Sequence, residues 1–304
     1  MLQHAFLMMV HKSPELFGRI VHILAKENHH FFIHIDKKVS NFLDYKTIVD
    51  DVDNVTFIPR MSVYHGSVTQ IYCELALYKA AIKAPIKMDY FHLISGQDYP
   101  LRSNEQFDDF IEKNKGKSFG MIDSKEYRDE CMKFKYPSRT DAYHPNANGI
   151  FLRLLRKLTL KLQVKYSLRK KIPNTWGGWN WRSIYRPVVL YLLDYIDKNP
   201  SFLKRYNHTA CCDELYYTTI IHPVQSQLNI DGRSPLRYVS WEPTHPVDSK
   251  HRPYNLDERD YPFIINSQAF FCRKVDLPIS EKLLDMIDKQ RGSSFDFEKA
   301  VPIK

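Results

Sequence analysis

Asp213 and Glu214 stand side by side in Cys212-Asp213-Glu214-Leu215-Tyr216. A carboxylate within reach of a hydroxyl group can take its proton as a general base. The same pair is also good helix-start chemistry, with Asp213 as the cap and Glu214 in the first turn, where the helix dipole favours negative charge. Further on, Arg273-Lys274-Val275-Asp276 follows the apolar Ala269-Phe270-Phe271-Cys272. Cations so placed suit a phosphate, through charge-assisted hydrogen bonds, and preorganised cations stabilise a leaving group that gains negative charge. The plainer alternative pairs them with Asp276 or with solvent. Trp176-Gly177-Gly178-Trp179-Asn180-Trp181 puts three indoles around two glycines. Glycine lets a backbone approach a ligand closely, and an exposed indole offers a stacking surface; a tight turn with buried tryptophans is the competing reading.

A divalent metal would need an acidic or histidine cluster. Asp51-Val52-Asp53 has an acidic spacing but reads as a turn, and the histidines, His29-His30 included, show no partner set in the sequence. The expectation is therefore no metal, with Lys and Arg supplying the electrostatics.

These residues have to be positioned by elements. Ala5–Val10, Phe31–Ile35, Val55–Ile58, Tyr90–Ser95 and Phe119–Ile122 read as strands. Pro14–Asn28, Ser67–Ala84 and Ser103–Lys113 read as helices, the first with Leu16, Ile20, Ile23 and Leu24 on one side and Ser13 before Pro14 as its start signal. Strands alternating with helices predict an α/β fold with a largely parallel, doubly wound sheet. Ligands bind beyond the carboxyl ends of such strands, which places His34, Asp36 and Gly96-Gln97-Asp98 at the binding edge. No GxGxxG follows the first strand and no GxxxxGK[ST] occurs, which disfavours a dinucleotide fold and excludes a P-loop. Later segments read as helix over Arg186–Lys198 and about Glu214–Ile221, and as strand over Leu236–Ser240 and Phe263–Asn266. The stretch Ile150–Lys171 carries eight cations and no acid among leucines. It suits a basic amphipathic helix on an anionic membrane, or a solvated helix covering the domain. No linker interrupts the chain, so 1–304 is expected to be one domain: one half over about 1–125 and a second over about 172–304, with the basic helix over 150–171 between.

The chain is long enough, at 304 residues, to bury a full core, and its net charge of +9 favours anionic partners. No RNP, zinc-finger or helix-turn-helix pattern supports nucleic acid as that partner. Five cysteines, two of them adjacent, point to a reducing compartment. The apolar run Ala5–Val10 is too short for a signal or a membrane span, so a cytoplasmic protein, peripheral on the inner membrane face, is expected.

Four blocks recur in one order: Ile33-His34-Ile35-Asp36-Lys37-Lys38; His92-Leu93-Ile94-Ser95-Gly96-Gln97-Asp98-Tyr99-Pro100-Leu101; Asp213-Glu214 with Thr218-Thr219; and Phe270-Phe271-Cys272-Arg273-Lys274. Together they resemble glycosyltransferase family 14, the core-2/I-branching β-1,6-N-acetylglucosaminyltransferases and peptide O-xylosyltransferases, from about Phe6 to Asp276. The resemblance implies a GT-A fold and metal-independent, inverting transfer from a UDP-sugar to a hydroxyl of a glycan or lipid-linked acceptor, with N-acetylglucosamine ahead of xylose as the sugar. It implies that the half over about 1–125 binds the nucleotide-sugar and that the one over about 172–304 is the acceptor and catalytic half, with Glu214 as catalytic base and Lys274, helped by Arg273, on the diphosphate. A second diphosphate cation is implied upstream, with Arg252 and Lys250 the candidates. Asp36 would lie beside the nucleoside, with His34, Gly66, Ser67 and Asp98 also on the donor side. The acceptor would meet Asp213, Trp179, Asn180 and Trp181; the family's Gly-Ser-x-Trp block appears here as Gly178-Trp179-Asn180-Trp181, with Trp179 in place of Ser. Animal members carry an N-terminal anchor and disulfides that this sequence does not show, which points to a bacterial relative working on surface polysaccharide or lipid-linked precursors.

Overall fold

The computed structural model describes residues 1–123, 158, 162, 175–206, 209, 211–241 and 253–293. Its main sheet begins with β1 (His4–Val10), β2 (His29–Ile35), β3 (Val55–Phe57) and β4 (Tyr90–Ser95). These four are mutually parallel in the order β3-β2-β1-β4. Pleat alternation sends Phe6, Met8 and Val10 of β1 into one core layer and Ala5 and Leu7 into the other. A sheet buried on both faces needs helices on both, and it has them. Helix α1 (Pro14–Leu24) covers the first layer, and α3 (Val68–Ile82) the second, with α2 (Phe42–Thr47) between them in sequence. The expected doubly wound α/β architecture is therefore present.

Beyond β4 the sheet changes direction. Strand β7 (Arg182–Tyr185) runs antiparallel beside β4, and β6 (Ser118–Phe119) and β8 (Ile230–Asp231) extend it. A second sheet orders β5 (Tyr99–Pro100), β10 (Phe271–Arg273) and β9 (Arg237–Val239). Further helices are α4 (Asn104–Lys113), α5 (Arg186–Lys198), α6 (Tyr216–Ile221), α7 (Tyr261–Ile265) and α8 (Glu281–Gln290). No helix among the described residues is long and apolar enough to cross a membrane.

Local chemistry accounts for most boundaries. Ser13 and Ser103 cap α1 and α4, the latter in a reciprocal capping box with Gln106. Helix α1 stops at Leu24, four residues short of the predicted end: Ala25 turns to extended backbone, and the His29 ring donates to the Leu24 carbonyl at 2.6 Å as the chain enters β2. Phe263–Asn266, read as a strand, is the end of α7; Pro262 stands in its first turn, a position that suits proline. The predicted helix at Glu214 splits into a 3-10 turn over Cys212–Glu214 followed by α6, so Asp213 caps no helix. Asp51-Val52-Asp53 is a turn, as expected, and Asp51 meets His22 at 3.0 Å.

Candidate active site

The carboxyl ends of β1, β2 and β4 meet along one edge of the main sheet. Asp36 follows β2 and is buried. Its carboxylate accepts from the Lys38 amide (2.9 Å), the Lys38 ammonium (2.8 Å) and the Val63 amide (3.4 Å). Arg60 fixes the backbone beneath it, reaching the Asp36 carbonyl at 2.8 Å, and the Lys38 ammonium also lies 4.4 Å from the centre of the Tyr64 ring. His34 accepts from the Met61 amide through Nε2 at 3.0 Å. Burial lowers its pKa, with Asp36 opposing, so the neutral ring anchors the 61–64 loop. That loop turns at Gly66, whose φ of 73° favours glycine, and enters α3 through the Ser67 cap.

The same loop reaches the carboxylate pair. The Cys211 amide donates to the Gly66 carbonyl at 2.7 Å. The Gln70 side-chain oxygen accepts from the Gly66 amide, while its nitrogen donates to Asp213 at 3.3 Å. Gln70 thus joins the loop that turns at Gly66 to the Asp213-Glu214 turn, a connection with no signature in the sequence. Glu214 is half-buried on that turn, and its carbonyl accepts from the Gly178 amide at 3.0 Å. The close approach explains the glycine: a Cβ at position 178 would stand 2.1 Å from the Met121 carbonyl oxygen and 2.6 Å from the Thr218 methyl carbon.

The tryptophan block closes the circuit. Trp181 lies over the Arg273 guanidinium at 3.9 Å, and Arg273 donates to both Asp98 oxygens at 3.0 and 2.9 Å. The Asp98 carboxylate also takes the Ser95 amide and hydroxyl. Asp98 and Arg273 are therefore engaged with each other and brace β4 against β10. Trp179 packs against the exposed Trp241 at 5.8 Å, an aromatic partner that sequence reasoning missed. Trp176 stacks on His222, away from that pair in its contacts. Asn180 is buried, and its carbonyl accepts from Arg182 at 2.8 Å.

Beneath the rim lies a buried charged network. Arg182 pairs with Glu74, both essentially without exposure, and Tyr216 also donates to Glu74. Arg182 further donates to Tyr78 and Tyr216 at 3.2 Å each and lies 3.8 Å from the Tyr217 ring centre.

Lys274 differs from its neighbour Arg273. It is half-buried, and among the described residues its ammonium makes no hydrogen bond or ion pair. Burial, then Lys12, then Arg273 lower its pKa, with Asp276 opposing. Lys12 holds Asp276 at 2.6 Å. Partial desolvation, followed by Lys12 and Lys274, likewise lowers the pKa of His11. A crowded cationic corner of this kind gains from an arriving polyanion. Arg252 and Lys250 lie outside the described residues. So does the basic segment 150–171, apart from the exposed Leu158 and Leu162.

The sequence profile of the Core-2/I-Branching enzyme family matches residues 4–264. Rat xylosyltransferase 2 is 25% identical over 304 residues, covering 93% of this chain and 33% of that protein. Mouse N-acetyllactosaminide beta-1,6-N-acetylglucosaminyl-transferase is 20% identical, covering 94% of this chain and 73% of that protein. The chain thus spans about a third of the length of the xylosyltransferase relatives it matches. Among solved structures, mouse xyloside xylosyltransferase 1 in its apo form superposes with a TM-score of 0.34 and 9% identity, over 76% of this chain and 84% of that one, too loosely to argue from.

Proposed function

The chain belongs to the Core-2/I-branching enzyme family, and from that premise we propose that it is a metal-independent, inverting glycosyltransferase that moves a sugar from a UDP-sugar to a hydroxyl of a glycan or glycoconjugate. The observation that carries this reading is the continuous set of contacts joining Asp36, the Gly66 loop, Gln70, Asp213-Glu214, Gly178 and, through Trp181, Arg273 and Asp98. It sets a base candidate and a cationic corner around one edge of a sheet built to bind ligands at that edge.

In this reading the nucleoside lies near Asp36, beside the 63–67 loop. Lys274 meets the diphosphate as negative charge develops on the leaving group. Glu214 accepts the proton of the acceptor hydroxyl while its oxygen attacks the anomeric carbon, and the C–O bond to the diphosphate breaks on the opposite face. In-line attack inverts the centre, so an α-linked donor gives a β-linked product. Trp179, Trp181 and Trp241 offer the acceptor aromatic surface. Lys and Arg side chains supply the charge that a divalent ion would otherwise provide. N-acetylglucosamine is the donor sugar we assign first. Xylose is the second reading, favoured by the 25% identity to rat xylosyltransferase 2. Surface polysaccharide or lipid-linked precursors are the acceptor class, approached from the inner face of a membrane.

Thermal-shift or calorimetric titration with UDP, UDP-N-acetylglucosamine and UDP-xylose, each with EDTA and then with Mn2+, tests this. EDTA-insensitive binding of one donor supports the reading and names the sugar. Binding that requires Mn2+ removes metal independence, and no binding in either condition removes catalysis.

A further inference from the structure

A second cluster of titratable side chains sits at the other end of the main sheet. His4 opens β1 and His29 opens β2, paired across the parallel ladder. The seven residues of β1 put them about 20 Å from the binding edge. Helix α4 lays Asp108 across both. His29 Nε2 is 2.8 Å from Asp108 Oδ1, and His4 Nε2 is 3.6 Å from the same oxygen. The other carboxylate oxygen is turned away, taking the Lys26 ammonium at 2.7 Å and the Asn28 amide at 3.2 Å. The histidines are fully buried and Asp108 is 14% exposed.

The geometry within this cluster suits a cation. The Leu24 carbonyl can only accept, so His29 Nδ1, 2.6 Å away, carries its proton. With Nδ1 so engaged, His29 directs Nε2 at Asp108 Oδ1, 2.8 Å away. His4 Nδ1 lies 3.0 Å from His92 Nε2. The His4 Nε2 is directed at the same Asp108 oxygen, 3.6 Å away. The three inward-facing atoms lie within 4.8 Å of one another. In a tetrahedral zinc site with bonds of about 2.0–2.1 Å, donor atoms stand about 3.3 Å apart, and the separations of 2.8 and 3.6 Å straddle that value. The outer contacts match what metal-bound histidines require: each ring gives its other nitrogen to a fixed partner, Leu24 or His92.

We infer that His4, His29 and Asp108 form a structural site for a divalent transition-metal ion such as Zn2+, which ties α4 to the amino ends of β1 and β2 and takes no part in sugar transfer. The ion sits between the two Nε2 atoms and Asp108 Oδ1, with water completing its shell on the side where Asp108 is exposed. Lys26 neutralises the second carboxylate oxygen and is itself 3.8 Å from Glu105.

Chelator-stripped, dialysed protein titrated with Zn2+ by calorimetry, and with Co2+ by visible absorption, tests the site. One equivalent of metal is expected, with a four- or five-coordinate Co2+ spectrum lacking a thiolate charge-transfer band. His4→Asn should abolish binding. His92→Phe, which removes only the acceptor behind His4, should weaken it about 10- to 100-fold. UDP affinity should be the same in stripped and loaded protein. Absence of Zn2+ binding by the wild-type chain overturns the inference, as does undiminished binding by folded His4→Asn or a thiolate band that traces the ion to cysteine. If His4→Asn does not fold, the wild-type titration and His92→Phe decide. UDP binding that depends on the metal would contradict the structural role.

Discussion

In the proposed mechanism Glu214 and Lys274 divide the chemistry between them, and each can be tested without dismantling the site. Glu214→Gln keeps size and hydrogen bonding but removes the base. Transfer should fall by about 100-fold or more while UDP affinity stays within a factor of two or so, as single-turnover assays beside calorimetry would reveal; normal turnover would end the assignment. Lys274→Ala should weaken UDP binding and turnover together. The lowered pKa of Lys274 adds a pH signature. Only the protonated ammonium attracts the diphosphate, and that form is lost as pH rises through a value below the ordinary lysine range. UDP affinity should therefore decline on the alkaline side earlier than an unperturbed lysine would allow, and the decline should vanish in Lys274→Ala. Asp98 and Arg273 illustrate the limit of reading residues singly. Arg273 is a type that suits a phosphate and Asp98 stands at the expected binding edge, yet the two are engaged largely with each other.

Among elements, the decisive ones are short. The 177–181 loop approaches the Glu214 turn so closely that Gly178→Ala must push the Met121 carbonyl or Thr218 aside. We expect it to cost about 1–3 kcal/mol in urea denaturation and to lower turnover more than UDP affinity, since the loop backs the proposed base and not the loop that turns at Gly66. Under that loop, β7 carries Arg182 into a pair with Glu74 of α3. Arg182→Met leaves a buried carboxylate without its counter-ion and should cost about 3–5 kcal/mol. The double change Arg182→Met with Glu74→Gln should recover part of that loss, which a double-mutant cycle would measure. Strand and helix periodicity made β1, β2, β4, α3 and α4 readable. It failed at 261–265, where five residues carry too few repeats to separate a helical turn from an extended apolar run.

For the molecule as a whole, the carboxyl-terminal α8 is tied back to the start of the chain. Tyr99 donates to Asp288 at 2.7 Å, and Arg19 reaches Asp285 and Asp288 at 2.7 Å each. Asp288→Ala should destabilise the protein by about 1–3 kcal/mol in equilibrium unfolding, with donor binding retained in the folded fraction. The sequence by itself determined the alternating α/β plan, because two-residue and 3.6-residue periods are local consequences of strand and helix geometry. It also determined the family, through Ser95-Gly96-Gln97-Asp98-Tyr99-Pro100-Leu101 and the ordered blocks around it. Only the tertiary structure decided the partnerships: Gln70 with Asp213, Trp181 over Arg273, Arg182 with Glu74, and His4 and His29 beneath Asp108. The reason is distance along the chain. Each pair joins residues tens to well over a hundred positions apart, and no local propensity encodes which sheet edge or helix face will bring them together.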